Sequence, residues 1–248
     1  MRKLVRVALV LVMLLTAGVA ILLTAAYRAT QQVPDFYQHA LARQPQEQKA
    51  AADQLERQVL ELHNDARRPG RWEARFSQEQ INGWLAADLP TKFPGALPDG
   101  VSDPRVAIDP NHMQLAVRYD QGDVSTVLSM AGDAYLTDRP NEVAVHIDHV
   151  RAGAFPVPLA QFLDQIAERF LDAGLPLRWT EQEGDPVALV TLPLDREEFK
   201  GKQLQVERLE ICDGEIVVSG RTDTRETQSA EAQSAGAESP DTAESIQR

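Results

Sequence analysis

Residues 114–130, QLAVRYDQGDVSTVLSM, decide the predicted fold. In their first half Leu115, Val117 and Tyr119 alternate with Gln114, Ala116 and Arg118, which is the two-residue period of a strand. The turn sequence DQGD leads directly into a second strand-like run. Because parallel strands need a crossover of a dozen or more residues, a connection this short predicts an antiparallel pair.

The same pattern recurs on both sides of this segment, which predicts a meander of short strands. Between Cys212 and Glu215, Asp213-Gly214 is a two-residue signal for a β-hairpin. The further predicted strands are residues 105–108, 142–148, 177–181, 187–192 and the two halves of 204–218.

Three helical patterns accompany the strands. The first covers residues 35–68 with a break at Pro45, and the third covers residues 157–173 before Gly174. The second begins at Ser77, because Ser77 and Gln80 have the spacing of a capping box, with Phe76 and Ile81 as the hydrophobic pair around it. Its predicted buried face contains Ile81, Trp84, Leu85 and Leu89, and Pro90 is predicted to end it.

The chain begins with a segment suited to a bilayer. Residues 7–27, VALVLVMLLTAGVAILLTAAY, carry no charge, and about 20 apolar residues span a membrane as a helix. Arg2, Lys3 and Arg6 precede the segment, so the positive-inside rule predicts a cytoplasmic amino end and an extracytoplasmic domain. The alternative is a signal peptide cleaved near Ala26, although the apolar run is long for one.

These patterns predict an α+β protein in which amphipathic helices pack on a mostly antiparallel curved β-sheet. We expect four parts: residues 1–28, a cytoplasmic stub and transmembrane anchor; 29–70, a juxtamembrane helical segment; 71–220, the extracytoplasmic domain; and 221–248, a disordered acidic tail. The tail is rich in Ser, Thr, Ala and Glu and nearly lacks large apolar residues, so it cannot offset the entropy of ordering.

Composition excludes several classes of protein. A net charge of −12 argues against nucleic acid as a partner. Cys212 is the only cysteine, which excludes an internal disulfide, a multi-cysteine zinc site and an amino-terminal lipoprotein anchor. Because residues 1–28 are basic, the remaining chain is more acidic than the total indicates, and we expect anionic headgroups to repel it.

The sequence contains no recognisable catalytic motif, metal site or cofactor site. His146 and Asp148 share a face of a predicted strand, whereas His149 is expected on the opposite face. Such a pair suits a metal or a proton relay, but no third ligand is indicated, so a solvated polar face is the simpler interpretation. No catalytic, metal or cofactor-binding residue is therefore predicted.

The aromatic residues suggest one binding site. Two readings stay open: these side chains form core, or they line an apolar groove for a lipid-like ligand between helices and sheet. The predicted groove residues are Trp72, Phe76, Ile81, Trp84, Leu85, Leu159, Phe162 and Ile166.

The stripe Ala52, Leu55, Val59 and Leu62 has helical period and permits two arrangements. It either docks on the following domain or pairs two copies near the membrane. The stripe is too short to predict a coiled coil.

Two segments carry a family resemblance. Residues 76–85, FSQEQINGWL, and residues 152–158, AGAFPVP, with the later LPLRW of 175–179, resemble motifs of the YpmS-like family of single-pass bacterial envelope proteins. The resemblance covers about residues 72–218 and implies a location and a fold, but no catalytic residues.

We therefore expect a membrane-anchored extracytoplasmic protein that binds or scaffolds and is not an enzyme. Its possible partners are the membrane, a lipid-like ligand or an envelope protein. One alternative is a structural envelope protein with a dry core that acts through pairing of the juxtamembrane helix. The least favoured alternative is an envelope hydrolase.

Overall fold

The computed structural model describes residues 32–122, 124–157, 167–168, 171, 175–182, 184–192 and 201–224. The predicted anchor, most of the predicted third helix and residues 225–248 lie outside these ranges. None of the helices in the described ranges has the length and apolar character that a bilayer-spanning segment needs.

Four helices occupy the first part of the described chain. They are α1 (Asp35–Leu41), α2 (Pro45–Ala66), α3 (Gln78–Ala87) and α4 (Leu89–Lys92). The predicted break at Pro45 is confirmed, and the proline stands in the first turn of α2, where its missing N–H leaves no hydrogen bond unmade. The predicted capping box at Ser77 and Gln80 is also confirmed, with both reciprocal hydrogen bonds present.

The described residues contain ten strands in two sheets, and every described pairing is antiparallel. The larger sheet has the order β2-β3-β4-β5-β8-β7, with β6 beside β5, and the smaller has the order β1-β10-β9. Both agree with the predicted α+β class. In chain order the strands are β1 (Gly70–Ser77), β2 (Val101–Asp109), β3 (His112–Gln121), β4 (Val124–Leu136), β5 (Glu142–Ala152), β6 (Phe155–Pro156), β7 (Leu177–Gln182), β8 (Asp185–Thr191), β9 (Lys202–Ile211) and β10 (Glu215–Thr224).

The hairpin at Asp213-Gly214 is confirmed, because β9 and β10 pair around it and Gly214 has a φ of +73°. Strand β1 was not predicted. Trp72, Ala74 and Phe76 do alternate with charged residues there, but the run is short and leads directly into the helix start at Ser77.

Hydrogen bonds join the two sheets at both ends. The Asn141 side chain donates to the carbonyl of Leu204 at 2.9 Å and accepts from the N–H of Val206 at 2.9 Å. A side-chain amide from the β4–β5 turn thus provides hydrogen-bond partners for the backbone at the edge of β9. At the other end the N–H of Gly214 donates to the carbonyl of Ile108 at 2.9 Å. Strand edges that would otherwise attract other chains are thereby occupied.

Helix α3 covers the free edge of β2. Its most buried residues are Asn82 and Gly83, whereas Ile81, Trp84 and Leu85 of the predicted face are half-buried. The difference arises because Asn82 bonds the backbone of β2 and Gly83 lies against α2. A Cβ on Gly83 would stand 2.5 Å from the Gln48 carbonyl oxygen, so only glycine permits this approach.

Two apolar clusters form the described core. One contains Ala66, Trp72, Leu204 and Val206 and joins α2 to the smaller sheet. The other packs α1 on the larger sheet, with Tyr37 against Ala116 and Val127 and with Val33, Phe36 and Leu41 around them.

Two predicted boundaries are wrong. Pro90 does not end α3, which stops at Ala87; Pro90 lies in the first turn of α4 instead. The predicted tail begins too early, because β10 continues to Thr224 and the side chain of Thr222 is completely buried. The polar composition of this segment predicted a tail, but Thr222 is buried because its hydroxyl forms hydrogen bonds with buried groups.

Candidate functional site

Trp72, the first residue of the predicted groove, belongs to the core. It is 7% exposed, and its indole N–H donates to the Thr222 hydroxyl at 3.2 Å. That hydroxyl in turn donates to the carbonyl of Ala66 at 2.8 Å. The tryptophan is therefore held by α2 and β10.

The other groove residues divide into two groups. Phe76 lies in β1 directly before Ser77, the cap of α3, and Ile81, Trp84 and Leu85 are half-buried along α3. Leu159, Phe162 and Ile166 lie outside the described residues, so the predicted groove between the two helices stays a prediction.

The Trp84 ring meets one aromatic partner. Its centroid is 5.7 Å from that of Phe93, with the ring planes tilted by 50°. Phe93, which follows the last residue of α4, is 54% exposed. The aromatic pair thus leaves an apolar ring at the surface.

The described surface has two depressions that bear on the groove prediction. One has a volume of about 280 Å³, lies over β1 and β10, and is bordered by Arg71, Trp72, Glu73, Glu207, Ser219 and Gly220. The other, between α2 and α3, has about 10 Å³, which is enough for no more than one water molecule. The first is polar at its rim and the second is too small for a lipid.

A second group of polar residues gathers around His146 on β5. The sequence placed His146 and Asp148 on one face, and the structure confirms their contact: His146 Nδ1 lies 3.2 Å from Asp148 Oδ1. The third group that the sequence did not indicate is Asp133 on β4, whose Oδ1 lies 3.0 Å from the same nitrogen. The three side chains offer ligand atoms that all lie within 4.8 Å of one another.

Two further side chains border this His146 cluster. Asp185 Oδ2, at the start of β8, lies 3.5 Å from His146 Nε2 on the far side of the ring. His112 Nδ1, at the start of β3, lies 3.5 Å from Asp148 Oδ2. Four strands thus contribute to one polar patch, in which the three aspartates and His112 are between 36% and 52% exposed and His146 is 24% exposed.

The register of β4 and β5 creates this arrangement. His146 pairs with Asp133, but a bulge intervenes before Ala131 pairs with His149, so Asp148 is the extra residue in β5. The bulge interrupts the alternation from which His149 was predicted on the opposite face. A Cβ on Gly132 would lie 2.0 Å from the His146 carbonyl oxygen, so the close approach of the strands requires glycine there.

A different carboxylate group surrounds the start of α4 and serves as a contrast. Asp88 is buried and bonds Lys49 Nζ at 2.8 Å and Lys92 Nζ at 3.0 Å, and Lys92 also bonds Glu56. The hydrogen bond from Lys49, joined by that from Lys92, holds the pKa of Asp88 below its ordinary value in spite of burial. Lysines thus neutralise this group, and its role is to fasten α2 to α4.

In the part of the chain that the structure describes, the His146 cluster is not paired with such cations. Among the described residues, no lysine or arginine forms an ion pair with Asp133, Asp148 or Asp185. An imidazole with carboxylates on both ring nitrogens is able to hold a proton or a cation. Sequence reasoning missed Asp133 because its distance from His146 is set by strand register rather than by spacing along the chain.

Comparisons with protein-family models, with curated proteins and with solved structures find no match for this chain. The resemblance to the YpmS-like family therefore stays a prediction.

Proposed function

We propose that this protein is a single-pass, membrane-anchored extracytoplasmic module that binds or scaffolds, and that its domain is held close to the bilayer. The uncharged residues 7–27, preceded by Arg2, Lys3 and Arg6, support the anchor and its orientation. Membership of the YpmS-like envelope family is part of the same proposal.

The observation that carries the proposal is the packing of α1. Tyr37 is 1% exposed, and its hydroxyl donates to the carbonyl of Asp103 at 2.9 Å, while Val33 packs beside it. Five residues separate Val33 from Tyr27, the last residue of the apolar segment, so the connection spans roughly 20 Å at most. A domain on so short a tether works at the membrane surface.

Labelling of single cysteines tests the orientation. In a Cys212→Ala background, we place one cysteine at exposed Asp138 and, in a second variant, one at Arg2. A membrane-impermeant maleimide should label the D138C protein in intact spheroplasts and the R2C protein only after permeabilisation. The reverse pattern, or labelling of neither site in membrane fractions, contradicts the proposal.

The intact mass of the mature protein tests the alternative of cleavage near Ala26. An anchored chain keeps its full 27.4 kDa and sediments with membranes after carbonate washing. A secreted product lacks the amino-terminal segment and is found in the soluble fraction.

A lipid-like ligand is the second candidate, favoured by the exposed Phe93 ring beside Trp84. Native mass spectrometry of the detergent-extracted full chain would report bound lipid and stoichiometry together. Retention of lipid by the wild type and its loss in a Phe93→Ser variant support this candidate, with Tyr135→Ser as the matched exposed aromatic control. Absence of lipid from the wild type removes it.

Helix pairing is the structural alternative, and exposed Val59 and Leu60 on α2 are the residues available for it. Of the predicted stripe, Leu55 is half-buried and Val59 is exposed, so charges at Val59 and at its exposed neighbour Leu60 make the cleaner test. A lower yield of crosslinked dimer in membranes for V59E/L60E than for Gln54→Glu supports pairing. The least favoured alternative is a hydrolase. It would use His146 as its general base, with Asp133 as the carboxylate that orients the imidazole.

A further inference from the structure

We propose that Asp133, His146 and Asp148 form a binding site for a divalent first-row transition-metal cation such as Zn²⁺. This inference does not depend on the membrane anchor. It rests on the donor set, on the distances between the donors and on the charge that surrounds them.

The distances match those of a metal ligand sphere. When a nitrogen and two oxygens each lie about 2.0–2.2 Å from an ion at tetrahedral or octahedral angles, they are about 3.0–3.5 Å from one another. His146 Nδ1 lies 3.0 Å from Asp133 Oδ1 and 3.2 Å from Asp148 Oδ1. The two distances that involve His146 therefore match a ligand sphere, and the carboxylate oxygens of Asp133 and Asp148 lie within 4.8 Å of each other.

The far side of the imidazole carries the support that metal-bound histidines usually have. A ligating histidine donates its second N–H to a carboxylate or a carbonyl, which fixes the tautomer and the ring orientation. Asp185 Oδ2 lies 3.5 Å from His146 Nε2, so a carboxylate faces that second nitrogen at ion-pair distance. In the tautomer that carries its proton on Nε2, the Nδ1 lone pair of His146 points toward Asp133 and Asp148 and is available to a cation.

A bound cation would offset the repulsion between the carboxylates around His146. Three carboxylates surround one imidazole, and no described lysine or arginine pairs with them. In the group around Asp88, by contrast, Lys49 and Lys92 already occupy the carboxylate oxygens. The two groups thus differ in the one property that a metal site needs, which is uncompensated donor charge.

The donor types indicate the class of ion. Imidazole suits zinc, copper, iron and nickel, whereas sites built from oxygen alone suit magnesium and calcium. His146 makes the transition ions the better match. Because Asp133 and Asp148 are each 38% exposed, water is able to complete the coordination.

Calorimetric titration of the full chain in detergent with ZnCl₂ at neutral pH tests the proposal. We expect one saturable site in the wild type, and binding weakened at least about tenfold in both His146→Asn and Asp133→Asn, because each loses a direct ligand. Asp185→Asn should weaken binding by about tenfold through its effect on His146. His39→Asn, an exposed histidine elsewhere, and Asp53→Asn, in the lysine-neutralised group, are the matched controls.

Thermal unfolding gives a second readout and shows that each variant folds. A cation that binds only the folded chain raises the unfolding temperature of the wild type and of both controls, and it raises that of H146N and D133N by less. Absence of a saturable site in the wild type overturns the proposal. So does equal binding by H146N, D133N and the wild type, or an equal loss in the H39N and D53N controls. A response to MgCl₂ as strong as that to ZnCl₂ overturns the assignment to transition ions.

Discussion

Asn82 on α3 and Val106 on β2 exchange two hydrogen bonds, each of 2.8 Å. The side-chain amide donates to the carbonyl of Val106 and accepts from its N–H. Four residues earlier on the same helix, the Gln78 side chain accepts from the N–H of Ile108 at 2.7 Å. Helix α3 thus supplies the edge of the larger sheet with the partners that another strand would have given.

Replacement of Asn82 by alanine should lower the free energy of unfolding by about 1–3 kcal/mol, because the N–H and carbonyl of Val106 lose their partners. Urea unfolding measures the loss. Asn64→Ala, at an exposed position on α2, is the control and should change stability by less than about 0.5 kcal/mol. Equal effects of the two substitutions would show that the edge bonds contribute nothing.

Replacement of Gly83 by alanine should also destabilise the fold, by about 1–3 kcal/mol, because the new methyl group collides with α2 backbone. The nearest atom, the Gln48 carbonyl oxygen, would be only 2.5 Å away. Glu79→Ala on the same helix is the control, since it removes only an exposed ion pair with Arg43. A stable G83A protein with an unchanged urea midpoint would contradict this account of the α2–α3 contact.

The buried Asp88 makes the free energy of unfolding depend on pH in the acid range. Its pKa is lower in the folded chain than in the unfolded one, so the unfolded state binds more protons and stability rises with pH. The contribution is complete above the ordinary pKa of 3.8 and is lost as the pH falls through the lower folded value. Asp88→Asn should therefore be less stable at pH 7 and should lose less stability between pH 5 and pH 2.

Lys49→Met provides the matched test for Asp88, because the hydrogen bond from Lys49 is the largest cause of the lowered pKa. That variant should also show a weaker dependence on acid, measured as the free energy of unfolding across the same pH range. A D88N protein with the full acid dependence of the wild type would assign the effect to other carboxylates.

The last residues of β10 should be necessary for stability. Removal of residues 221–248 takes away Thr222, which bonds both Trp72 and Ala66. We expect a loss of at least about 2 kcal/mol, since a buried indole N–H and a carbonyl stay unpaired. Removal of residues 225–248 alone is the control and should leave the urea midpoint within experimental error.

Thr222→Val separates the hydroxyl from the strand pairing. It keeps the shape of the side chain and should cost about 1–3 kcal/mol. Equal stability of the two truncated chains would show that β10 ends functionally at Gly220, as its composition suggests.

Local patterns determined much of this protein from the sequence alone. Alternation predicted most strands, Asp213-Gly214 predicted the second hairpin, and Ser77 with Gln80 predicted the start of α3. These features depend on residues within a few positions of one another, where backbone geometry and side-chain period are fixed by chemistry. The end of β10 was not predicted, because it depends on the contact of Thr222 with Trp72, which joins residues 150 positions apart.

Only the tertiary structure decided which residues meet. The sequence put His146 and Asp148 on one face, but Asp133 joins them because β4 and β5 pair in a register shifted by a bulge. Asn82 was part of a helix pattern, and its hydrogen bonds to Val106 depend on the position at which α3 packs against β2. Spacing along the chain fixes period and turns, whereas strand register and helix docking result from packing of the whole domain, and they bring the donors of the His146 cluster together.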